Sequence, residues 1–283
     1  MKTQPFLGRC LLSLWMSALA SCGGTVAGGA APDDTVKPPA ARPTVLQGVY
    51  GATFDGKEFV SAVTPELNWY ALYFERLAHT NPDIFSGLLS PGNEGLATIT
   101  DLRAFQIAKS AVPLNGTASI NAATLQNYSV NITGITSAQG NSLSFLAAAL
   151  SPNSYTLAKA ALYADVQGAP AWQGTWYDGD TSNTSSLQFT SNGTVSSVAT
   201  LNYCDLSSLV LTPMPGANMF KVSLNVSVKG SGGICLRTKD RLAGIDFGGV
   251  AFVYKSPLPD KSWRLDLIAV DSTGSGISFR GER

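Results

Sequence analysis

The sequence predicts an all-β, mostly antiparallel protein built as two β-sandwich or small β-barrel domains with at most short helices. Three observations carry that class. Residues 220–229 alternate five apolar with five polar side chains, and a period of two puts all five apolar ones on one face of a half-buried strand. Short segments of similar character recur along the chain between clusters of Gly, Asn, Ser, Asp and Pro, the punctuation of a protein made of strands and turns. Gly168-Ala169-Pro170 then breaks the chain before a new apolar stretch at Trp172-Gln173-Gly174-Thr175-Trp176, which divides the body into residues 46–166 and 170–283.

Taken in order, residues 1–21 have the three parts of an export signal: Lys2 and Arg9, an apolar run from Leu11 to Met16, and a zone of small residues. The run is too short to span a bilayer, which takes about 20 apolar residues. Leu19-Ala20-Ser21-Cys22 resembles the lipobox of bacterial lipoproteins. The resemblance implies cleavage before Cys22, a thioether from Cys22 to diacylglycerol and an acylated amino terminus. Two or three acyl chains, at roughly 0.8 kcal/mol per buried CH₂, anchor stably where one is marginal. Gly23 rather than Asp follows, which in the enterobacterial sorting pattern implies the outer membrane. The alternative is an ordinary secretory signal that leaves Cys22 as an exposed thiol, a liability in an oxidising compartment. Residues 22–45 continue with Gly, Ala and Pro and almost no large apolar side chain; they read as a flexible tether.

In the first half, strands are expected at 46–54, 58–63, 67–76, 84–89, 95–99, 118–121, 128–134 and 142–147. Thr100-Asp101 ahead of Leu102-Arg103-Ala104-Phe105-Gln106-Ile107 predicts a capped short helix. The strand at 67–76 is apolar on both faces, with Leu67, Trp69, Ala71 and Tyr73 on one and Tyr70, Leu72 and Phe74 on the other. A strand with one face in water alternates more cleanly. Both faces must therefore meet something: a second layer, a neighbouring domain, or a ligand in a lumen.

The second half predicts strands at 186–190, 195–203, 207–212, 220–229, 249–254, 263–270 and 276–280. Its stretch from about Tyr155 to Gly281 carries Gly174-Thr175-Trp176, Asn192-Gly193, Cys204, Asn218-Met219-Phe220, Cys235, Gly249-Val250-Ala251-Phe252 and Leu265-Asp266-Leu267. This resembles the C-terminal half of a group of uncharacterised proteobacterial lipoproteins; the resemblance implies location and a paired-cysteine β domain and carries over no activity. Cys10 leaves with the signal and Cys22 is assigned to lipid, so Cys204 and Cys235 remain. In an exported chain they most simply form a disulfide, closing about 30 residues and stabilising by roughly 3.5 kcal/mol on the chain-entropy model. A metal or redox pair would need nearby ligands, and the single histidine, His79, is distant in sequence.

Function classes follow from what the residues supply. Cleavage removes two basic residues and leaves 17 basic against 19 acidic, a balance that indicates no nucleic-acid partner. Hydrolysis needs a nucleophile with a base or two placed carboxylates. The chain has no Gly-x-Ser-x-Gly elbow, and His79 precedes Thr80-Asn81-Pro82-Asp83, a turn signal. Asp178, Asp180, Asp240, Asp246 and Asp266 are available as a carboxylate pair, yet spacing in sequence brings no two together. Asp178-Gly179-Asp180-Thr181-Ser182-Asn183 is oxygen-rich but lacks the Glu of a calcium loop and reads as a turn. No cofactor or metal is expected. The expectation is a membrane-anchored, non-catalytic binding or interaction module of the envelope, taking an envelope protein or a small apolar ligand as partner. Gly174-Thr175-Trp176 is also similar to the Gly-x-Trp that opens lipocalins, which keeps a ligand-carrying barrel in view with Trp69, Tyr70, Tyr73 and Trp176 as ligand or packing aromatics. An unrecognised envelope hydrolase is the third reading.

Overall fold

The structure, a computed structural model, describes residues 47–54, 56–75, 82–92, 96–105, 112–120, 127–137, 140–150, 155–163, 171–177, 182–190, 194, 200–201, 204–214, 217–228, 245–272 and 274–283. The export signal, the tether with Cys22, His79, the turn at Asp178-Gly179-Asp180, Asp240 and Cys235 lie outside them.

The first half forms β1 (Gly48–Phe54), β2 (Lys57–Val63), β3 (Asn68–Glu75), β4 (Asp83–Pro91), β5 (Leu96–Phe105), β6 (Val112–Pro113), β7 (Asn115–Ile120), β8 (Asn127–Ser137) and β9 (Gly140–Ala149). Apart from the two-residue β6 beside β5, each strand pairs antiparallel with the next, and β9 returns to β1 through Tyr50↔Ala149 and Gly51↔Ala148. The ladder closes into an eight-stranded barrel without an edge. Alternate side chains fill it: Tyr50, Phe59, Trp69, Tyr73, Phe85 and Tyr128 belong to one buried cluster. On the outer wall Thr98, Thr117, Asn131 and Ser144 lie side by side across β5, β7, β8 and β9 and are exposed. Polar outside and apolar inside, these four positions have the reverse of the pattern of a lipid-facing wall, with Leu96 and Leu146 exposed on the same strands.

The second half forms α1 (Tyr155–Tyr163), β10 (Trp172–Tyr177), β11 (Ser182–Leu187), β12 (Thr200–Leu201), β13 (Cys204–Pro213), β14 (Met219–Val228), β15 (Ile245–Lys255), β16 (Trp263–Val270) and β17 (Gly276–Glu282). The strands make an antiparallel sheet in the order β11-β10-β17-β16-β15-β14-β13-β12, curled like half a barrel. The short helix packs on one face of this sheet. Ala158, Ala161 and Leu162 recur at helical spacing and share a buried cluster with Trp172, Phe220 and Leu267. Trp172 donates its indole N–H to the Leu162 carbonyl at 3.4 Å, satisfying an acceptor that the helix end leaves open.

Where it runs between helix and barrel, the curled sheet is buried on both faces. Along β15 and β16 the odd positions Phe247, Ala251, Val253, Leu265, Leu267 and Ala269 pack in the helix-side cluster. The even positions Val250, Phe252, Tyr254 and Ile268 pack against Val49, Val60, Leu72, Phe74 and Ile84 on the outside of the barrel. This answers the two-faced strand at 67–76. In β3, Trp69, Ala71 and Tyr73 fill the barrel, and Leu72 and Phe74 meet the sheet.

The helix expected over residues 100–107 is corrected: residues 100–105 are the second part of β5. Asp101 adopts φ 50°, and the pairing of β4 with β5 shifts register between Ser86 and Leu88. This bulge inserts one residue into the alternation. Ile99 and Leu102, both inside the barrel, thereby stand three apart, and Phe105, three further on, is buried on the outer face; in sequence the three imitate a helix face.

Candidate functional site

The aromatics singled out in the sequence have separate surroundings. Trp69, 0% exposed, donates its indole N–H to the Tyr128 hydroxyl at 2.6 Å inside the barrel, and Tyr50 stacks on Tyr128 with ring centroids 4.4 Å apart. Burial pushes the Tyr50 phenol up to about 12 and that of Tyr128 further still. Tyr73 tilts against Phe145 at 5.4 Å. Trp176 lies against Phe279 at 5.0 Å in the helix-side core, its indole N–H without a hydrogen-bond partner among the described residues. Tyr70 differs: it points outward and is only half-buried. Cys204 opens β13 and pairs through its backbone register with Leu201 and Val228.

Where the barrel meets the curled sheet, five charged side chains gather at one end of β2, β16 and β17, none more than 14% exposed. Arg264 reaches Glu58 at 2.6 Å and Glu282 at 2.5 Å. Arg280 reaches the other oxygen of Glu58 at 3.0 Å and holds Asp266 through Nε and Nη2 at 2.7 and 2.8 Å. Tyr254 donates to Asp266 Oδ2 at 2.6 Å, and the Arg280 guanidinium lies 3.8 Å over the Phe74 ring. Burial alone would depress the Arg280 guanidinium, but Asp266, Tyr254 and Glu58 outweigh it and hold it well above the usual arginine range. Burial, reinforced by Asp266, raises the Tyr254 phenol well above its ordinary value. Each carboxylate is held by a guanidinium, so the cluster is a closed joint between the two bodies and offers no free acid and base.

Asp266 was among the carboxylates expected from sequence; Glu58, Arg264, Arg280 and Glu282 were not. Their signal was present. On β16 and β17, Arg264 and Asp266 stand opposite Glu282 and Arg280 in register, at even positions between buried odd ones. A charged alternate face ordinarily means solvent, and only the second body turns it inward. Asp246, by contrast, is exposed and accepts a 2.7 Å hydrogen bond from Asn225. Among the described residues no group of three or more His, Cys, Asp or Glu is placed to hold a metal.

At the other end of the same strands a cleft of about 610 Å³ opens between the bodies. The barrel contributes Thr64, Pro65, Glu66, Asn68 and Tyr70, and the sheet contributes Met214, Lys221, Gly248, Val270 and Asp271. The barrel's lip is shaped by Leu67, which takes φ 66° in the turn between β2 and β3. Leu67 donates its N–H to Thr64 O at 2.9 Å and accepts from Leu89 N–H at 2.8 Å, which fixes Glu66 and Asn68 at the rim. Such a backbone in a non-glycine residue costs of order 1–3 kcal/mol and persists only where its surroundings enforce it. Burial first, then the Glu66 carboxylate, raise the Tyr70 phenol above its ordinary value. Asp271 is committed to its own turn, accepting from Gly274 and Ser275 N–H at 2.8 and 2.7 Å. A groove of about 380 Å³ lies elsewhere, on the barrel wall around Thr117 and Asn131. Trp69, Tyr73 and Trp176 line neither the cleft nor this groove.

Fold and site together define an all-β protein of one closed barrel and one curled sheet, joined by buried charge at one end of their contact and open at the other. In comparisons with known proteins the chain matches no family, no curated protein and no solved structure.

Proposed function

We propose that this is a lipoprotein of the bacterial outer membrane, anchored through lipidated Cys22, whose two-body β-rich part is a non-catalytic binding module that uses the cleft between barrel and sheet. The cleft carries the reading: its roughly 610 Å³ falls in the range of small-ligand sites, which favour the junction of two bodies. The anchor rests on Leu19-Ala20-Ser21-Cys22, and pairing of Cys204 with Cys235 on an exported chain with two cysteines left in its body. The packed barrel interior around Trp69, Tyr128 and Phe59 tells against a lipocalin-like carrier with its ligand in the lumen.

Two measurements test this. Growth with an alkyne palmitate should label the wild type and leave Cys22→Ala unlabelled and released from the membrane; labelling of Cys22→Ala rejects the anchor. Native mass spectrometry of protein purified from its own host, with and without organic extraction, should show a small bound mass. Gly248→Leu should prevent that mass, because a Cβ at Gly248 meets nothing within 4 Å and the longer side chain projects into the cleft. A bound mass that Gly248→Leu leaves in place rejects the cleft as the site.

A further inference from the structure

Two charged side chains line the cleft from opposite walls, Glu66 in the barrel's β2–β3 turn and Lys221 on β14. Both are exposed, and neither has an ion-pair partner among the described residues. The third charged group on the lining, Asp271, already serves two backbone N–H groups. The same lining includes Tyr70, Met214 and Val270, and Gly248, where an added Cβ would meet nothing within 4 Å. A lone anion would meet Glu66 as well as Lys221, a lone cation the reverse, and a wholly apolar molecule would strip water from both without replacing it. A ligand with charge of each sign at its two ends satisfies both walls.

Resting on the reading of the cleft as a binding site, we infer that it takes a short zwitterionic peptide, of about two to four residues given its volume. The free amino group pairs with the Glu66 carboxylate, the free carboxylate pairs with the Lys221 ammonium, and the middle lies along Tyr70, Met214 and Val270. Both ion pairs sit at the rim, so each contributes selectivity between ligands more than raw affinity.

The test titrates tetra-alanine with both ends free, and its N-acetylated, C-amidated and doubly capped forms, into the ¹⁵N-labelled chain lacking only the export signal and carrying Cys22→Ser. Free tetra-alanine should shift the amide signals of Tyr70, Gly248 and Val270, and each cap should weaken binding about three- to tenfold. Glu66→Gln should abolish discrimination against the N-acetylated form alone, and Lys221→Met discrimination against the C-amidated form alone. A merely structural role for either residue would weaken all four peptides together, which overturns the assignment. Equal binding of the doubly capped form, blocked by Gly248→Leu, overturns the charge pairing and leaves the cleft a binding site. No shift from free tetra-alanine at millimolar concentration overturns the peptide assignment, while the host-purified mass decides the binding reading separately.

Discussion

Glu58 stands between two guanidinium groups of the other body, one carboxylate oxygen on Arg264 and the other on Arg280. Neutralising it leaves two buried cations short of a partner, and breaking a buried pair from one side costs roughly 3–5 kcal/mol. Glu58→Gln is therefore expected to lower the urea midpoint with little change in its slope, whereas Lys221→Gln, at an exposed position on β14, should be close to neutral. The buried tyrosines give a second expectation. Tyr50, Tyr128 and Tyr254 have phenol pKa values raised by burial above the ordinary 10. In each case the folded protein holds a proton that the unfolded chain releases, so their contribution is intact below pH 10 and is lost as pH climbs toward the folded values. Tm should fall steeply from pH 10 to 12, and phenolate absorbance from these three should emerge only with unfolding. A gradual phenolate rise of all nine tyrosines with Tm unchanged would contradict this.

Asp101 decides how β5 runs. Its left-handed backbone is tolerable for Asp and costly for a β-branched residue, so Asp101→Val should destabilise by about 1–2 kcal/mol while Asp101→Gly leaves the thermal midpoint almost unchanged. The same residue marks where sequence stopped being legible. The strand at 220–229 could be read almost to its ends, because its alternation is uninterrupted and one face is exposed; β14 is Met219–Val228. At 99–105 the bulge set Ile99 and Leu102 three apart, with Phe105 buried on the opposite face, and no local pattern separates that spacing from a helix. The helix α1 was missed because Ala158, Ala161 and Leu162 are buried by a sheet far along the chain, and nine residues of weak amphipathic character do not announce a partner. The two-faced character of β3 was visible in Trp69-Tyr70-Ala71-Leu72-Tyr73-Phe74. What covered its second face was not, since Phe252 and Ile268 lie nearly two hundred residues away. The cleft was invisible for the same reason, as its walls join Glu66 to Lys221 and Val270.

The barrel and the sheet share an apolar cluster as well as the ionic joint. Residues 42–283 form one compact unit, so a single cooperative thermal transition is expected, with barrel and sheet signals lost together. Cut after Leu150, the barrel would expose Val60, Ala62, Leu72, Phe74 and Ile84, now buried. That fragment should bind a hydrophobic dye and self-associate, where the uncut chain does neither. Separate transitions for the two bodies would show that their contact contributes little.

The first and last of the described strands are both interior ones. β1 is held between β2 and β9, and β17 between β10 and β16. If the chain hangs from a membrane by its amino end, tension arriving at Gln47 runs along β1 and loads two hydrogen-bonded ladders together, in shear, instead of peeling a strand from a rim one bond at a time. The described part of the chain is thus held from both sides at its first and last strands, and mechanical failure is expected to begin between them.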